Sequence, residues 1–179
     1  MRRSNESQRA NLPGYLTAQS AKLSAGEIRA RLDKAAEGFL VALDGFDDAS
    51  AHRRPGANDW SVAEVVDHVS ATLEEVTGIM RTLMSGLRSG RPMTTHAQPK
   101  EAARPLGELV ARLRANQAAV SALLARAVDE PHTDLRVPDH DFGEINWKGY
   151  ALVLRLHYKD HTQQVTRTSA VVVARVVAG

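Results

Sequence analysis

The sequence predicts an all-α protein, a four-helix bundle, and three observations carry that prediction. Aromatic residues make up only 4% of the chain while Ala, Val and Leu are plentiful, a composition that favours helices over a sandwich or barrel. Four long stretches repeat their apolar residues at alternating spacings of four and three, the stripe of an amphipathic helix. Two of those stretches open on a capping box, Ser at the N-cap with Glu three residues on. No stretch shows a strand pattern, and 179 residues suit one well-filled core better than two.

In chain order, residues 1–23 are polar, carry Pro13-Gly14 as a breaker and hold four basic residues (Arg2, Arg3, Arg9, Lys22) against Glu6. They are predicted to form a flexible basic arm ahead of a single domain over 24–179. Ser24 and Glu27 cap the first helix, whose stripe is Ile28, Leu32, Ala35, Phe39, Leu43 and Phe46 and whose end falls near Gly45. After a loop containing Pro55-Gly56, Ser61 and Glu64 cap the second helix, with Trp60 and Val65 as a hydrophobic staple. Its seam runs Val62, Val66, Val69, Leu73, Val76, Met80, Leu83 and Leu87, and His68 lies beside that seam where it can face a neighbouring helix. Gly86, Gly90, Pro92 and Pro99 mark residues 86–104 as a long connection. The third helix starts near Pro105 and carries Leu106, Leu109, Leu113, Gln117, Val120, Leu124 and Ala127; Pro131 closes it. Residues 131–146 read as a loop, and the fourth helix continues to about Arg175.

The fourth helix carries the most informative stripe: Trp147, Tyr150, Leu154, His157, His161, Gln164 and Thr168. Its first three members are core residues, and two imidazoles four apart then follow on the same face. A buried polar group without a partner costs roughly 1–3 kcal/mol, so two stacked histidines on such a face need one. A divalent metal supplies it, because side chains at i and i+4 can aim at one point. The rest of the chain then has to deliver a third ligand.

Charge and cysteine content narrow the alternatives. The formal charge is +2 and the pI about 9.1, but the excess belongs to residues 1–23; the remainder holds 19 basic against 20 acidic residues. That argues against nucleic-acid binding. The first residues lack the apolar core of a secretory signal, which leads us to expect a cytoplasmic protein, and no apolar run approaches a membrane span. With no Cys, disulfides, thiolate nucleophiles and Cys-based zinc sites are excluded, so any metal is held by His and oxygen.

Two stretches also carry a family resemblance. Trp60-Ser61-Val62-Ala63-Glu64-Val65-Val66-Asp67-His68 resembles the Trp-Ser-x-x-x-hydrophobic-x-x-His signature of the DinB/YfiT-like superfamily of proposed metalloenzymes. His140-Asp141-Phe142-Gly143, then Trp147, His157-x-x-x-His161 and Gln164, is similar to its C-terminal signature. The likeness spans roughly residues 24–168. It implies an up-down-down-up bundle, usually a homodimer, with zinc, nickel or iron bound by His68, His157 and His161 and completed by water. Better-understood relatives are transferases using a low-molecular-weight bacterial thiol, a mycothiol-dependent maleylpyruvate isomerase and YfiT-type hydrolases. The sequence shows no separate sterol-carrier-like domain of the kind that isomerase carries, so the resemblance points to a class of chemistry rather than to that reaction.

Three neutral imidazoles leave a dication its full charge and an open position, the pattern of a catalytic site. The ion would acidify a bound water for hydrolysis or a bound thiol for S-transfer of a small-molecule substrate, and with no Cys the sulfur must arrive on a cofactor. Gln164 is the candidate to orient a ligand or the metal's water, and His140, in the loop expected to border the site, the candidate for substrate contact. Asp67 and Asp160 neighbour ligands in sequence and so point away from them, which makes them minor acid/base candidates. His52, His96 and His132 read as solvated loop residues, and Trp60 and Trp147 as packing anchors. The competing expectation is a non-catalytic helical module for dimerisation or small-ligand binding, its histidines satisfied by hydrogen bonds.

Overall fold

The structure, a computed structural model, describes residues 11–88 and 98–177, with side chains described through Ser169. The part of the arm before Asn11, and His96 with the middle of the long connection, lie outside the described residues.

Helix α1 (Leu12–Lys22) stands where an arm was expected. Pro13 falls in its first turn, where the missing N–H would have had no intrahelical partner and a fixed φ is already helical. The pair read as a breaker is therefore compatible with a helix start. Leu16 and Leu23 are buried, and α1 packs on the last helix, where Arg155 Nη1 donates to Tyr15 Oη at 3.2 Å.

Four helices then build the bundle: α2 (Ala25–Ala42), α4 (Val62–Met84), α5 (Leu106–Ala125) and α6 (Trp147–Val177), with a single-turn α3 (Asp48–His52) between the first two. Both expected capping boxes form, Ser24 with Glu27 and Ser61 with Glu64. The α4 seam from Val62 to Leu83 is buried throughout. Its expected last member, Leu87, is exposed, because the helix ends at Met84 and Gly86 turns the chain at φ +80°.

Helix directions follow from a few contacts. Asp67, near the start of α4, holds Lys100 and Glu101 just before α5, and Asn116 of α5 reaches Ser70, so α4 and α5 run parallel. Glu130, just past α5, accepts from Ala25 N at the start of α2 and pairs with Lys148 at the start of α6. Both of those helices therefore start where α5 ends. The order is up-down-down-up, with α2 and α5 on one side and α4 and α6 on the other.

Residues 131–146 are more ordered than a loop. Val137–Asp139 (β1) and Gly143–Ile145 (β2) form an antiparallel hairpin in the register Val137↔Ile145. Asp139 Oδ1 accepts from the amides of Asp141 and Phe142 at the turn, and its Oδ2 accepts from Tyr150 Oη. The bundle is thus all-α with one small hairpin at the head of α6. Where α2 meets α5, the small Ala36 and Ala118 leave an open cavity of about 310 Å³ with Tyr158 of α6 in its wall.

Candidate metal centre

Antiparallel packing of α4 on α6 brings the second turn of α4 against the middle of α6. There His68 meets His157 and His161, ring centroids 4.9 Å from each, and the two α6 rings stand 4.4 Å apart. One ring nitrogen from each lies within 4.8 Å of the others. The group could hold a metal ion, and among the described residues no other set of three ligating side chains is so placed.

The donor chemistry fits such an ion. His157 Nε2 is buried and has no hydrogen-bond partner, a state that costs free energy unless something engages it. Burial, with His161 and His68 alongside, holds the His157 pKa well below its ordinary 6.5. Burial also depresses His161, to about 4, against the opposing pull of the Gln164 hydrogen bond. Both imidazoles are therefore neutral at pH 7, the form that binds metal. His161 Nδ1 lies 2.8 Å from Gln164 Oε1. Trp60 sets its ring edge-on to His68 with centroids 4.9 Å apart.

These depressed pKa values make an acid-sensitive contribution to the stability of the metal-free protein. The unfolded chain takes up protons below about pH 6.5 that His161 refuses in the fold until about pH 4, so stability falls as pH drops through that window. Urea unfolding at pH 7.5, 6 and 5 is expected to give successively lower midpoints. Replacing both His157 and His161 by Leu is expected to flatten the dependence, and an unchanged slope would sink the assignment.

The remaining histidines lie elsewhere. His140 sits at the hairpin tip, 97% exposed and bonded to Asp141, outside the three-His group. His52, expected as a solvated loop residue, ends α3, and its ring bonds to the carbonyls of Asp48 and Arg104. His132 packs against Gly86. Asp67 faces away from the histidines, as expected, but is buried and fully engaged: Oδ2 accepts from Lys100 N and Glu101 N, each at 2.7 Å, and Oδ1 pairs with Arg112. Asp160 is exposed on α6. The contact that sequence reasoning missed is Trp60 on His68; its only signal was an aromatic just outside the cap of a His-bearing helix.

A four-helix bundle with three imidazoles gathered from two antiparallel helices defines the class. The chain belongs to the DinB superfamily, whose sequence pattern matches residues 31–165. Among solved structures it is similar to TT2238, a four-helix bundle protein, at 20% identity and a TM-score of 0.62, covering 80% of this chain and 99% of that one. It is also similar to a protein from Streptococcus pneumoniae at 15% identity and a TM-score of 0.61, covering 83% and 92%. At such identities the likeness speaks for the fold alone. No curated protein matches the sequence.

Proposed function

We propose that the chain is a metal-dependent enzyme of the thiol S-transferase or hydrolase type, with His68, His157 and His161 holding a divalent zinc, nickel or iron ion. The observation that carries this reading is His157 Nε2, a buried ring nitrogen with no partner in a group of three imidazoles whose nitrogens lie within 4.8 Å of one another. When bound, the ion supplies Lewis acidity at an open position, acidifying a water or thiol ligand. The protein's own part is to present three imidazoles, which as ligands leave the positive charge uncompensated, and to keep them in register through helix packing. Trp60, partly exposed beside His68, offers an apolar wall for a substrate. Since the chain has no Cys, the thiol branch needs a low-molecular-weight thiol as co-substrate.

The test is metal content by mass spectrometry on untagged protein, before and after incubation with zinc, nickel or ferrous iron. About one ion per chain is expected for a single three-ligand site, followed by turnover of thiol-acceptor or hydrolysable substrates. Absence of any ion after reconstitution would overturn the reading in favour of a non-catalytic bundle module.

A further inference from the structure

We infer that Gln164 is a positioning residue which fixes the tautomer of His161 and so selects Nε2 as that residue's metal-facing nitrogen. The inference rests on the three-His reading above and goes one step further, to the chemical state of one ligand. Gln164 stands three residues after His161 on α6, so the helix itself delivers its side chain to the same face. Its Oε1 lies 2.8 Å from His161 Nδ1. An amide oxygen only accepts, so Nδ1 carries the proton and donates it. In a neutral imidazole the other nitrogen is then a bare lone pair, and Nε2, on the far edge of the ring, is left for the ion.

The opposite tautomer would direct an N–H into a group that already contains the unpartnered His157 Nε2. It would point a bound proton instead of a lone pair at the ion's position and so withdraw His161 as an Nε2 ligand. Gln164 therefore decides whether His161 offers the ion a lone pair at Nε2. An amide has a further consequence there. A carboxylate would hold the same proton but push negative charge onto the ring, whereas the neutral amide sets the tautomer and leaves the ion's acidity intact.

Two measurements test this. In metal-free protein labelled with ¹⁵N-histidine, long-range ¹H–¹⁵N spectra at pH 7.5 are expected to show the Nδ1–H form at His161, and a mixture of forms in Gln164→Leu. Zinc affinity by competition with a chromogenic chelator is expected to fall about 10–100-fold in Gln164→Leu. In Gln164→Glu it should return to the wild-type value or exceed it. Thermal unfolding of the metal-free variants should match the wild type, because Gln164 is only half-buried. An Nε2–H tautomer in the wild type, or undiminished zinc affinity in Gln164→Leu, would overturn the inference. Failure of the wild type itself to take up zinc would instead overturn the three-His reading on which it rests.

Discussion

His157→Leu is expected to abolish tight metal binding and, in the same protein, to stabilise the metal-free form. The two effects share one cause. His157 Nε2 is buried without a partner, and leaving such a group unsatisfied costs about 1–3 kcal/mol. Leucine fills a similar volume and removes the orphaned nitrogen, so the metal-free variant should gain about 1–2 kcal/mol. For a chain of this size that is a Tm rise of roughly 2–8 °C. Excess zinc should reverse the ranking, since the wild type gains about 2.7 kcal/mol at a hundredfold excess over Kd and the variant nothing. His157→Ala should lose the ion as well, but the cavity it leaves cancels the gain. Calorimetry of both variants with and without zinc decides the matter; a less stable metal-free His157→Leu would mean that the nitrogen was already satisfied.

Asp67→Ala should be among the most damaging substitutions that touch no histidine. Its carboxylate is buried and receives the amides of Lys100 and Glu101 together with Arg112. Removing it leaves those two amides without their acceptor, at about 1–3 kcal/mol each, while Arg112 keeps Glu74 and Glu101. The expected result is a fall in Tm on the order of 10 °C, with faster hydrogen exchange at the Lys100 and Glu101 amides. Asp67→Asn keeps one acceptor oxygen and should lose less. Wild-type exchange rates at those two amides in Asp67→Ala would show that the carboxylate does not fasten the connection to α4.

The bundle was legible because its signals are local. Ser24 and Ser61 cap helices through residues three positions away, and a seam such as Val62 to Leu83 records burial directly in its spacing. Where local signals competed, the weaker one was overlooked. Periodicity carried the second helix on to Leu87, although Gly86 sits in the left-handed region and ends it. Pro13-Gly14 resembled a breaker because its sense depends on whether a helix begins there. The hairpin was invisible for a different reason: strands of three residues show no repeat to detect. In the site, the spacing of His157 and His161 marks a shared face, and the resemblance supplied His68. Trp60 and Asp67 could not be read the same way, since the direction of the indole and the partners of the carboxylate, 33 to 45 residues distant, exist only once the helices are packed.

Tyr158 follows His157 in sequence but serves the other half of the molecule. Its ring packs on Phe39 of α2, and its hydroxyl donates to Gln117 of α5, which in turn holds Asp33. Consecutive helical residues point about 100° apart, so α6 is gripped from two sides at a single height. Any roll of α6 about its axis that moved His157 relative to His68 would break the Tyr158–Gln117 bond and drag a buried ring through the wall of the α2–α5 cavity. The aim of the imidazoles is thus calibrated from across the bundle, like a dial locked from behind, and a ligand wedged into that cavity would act on the three histidines as torque.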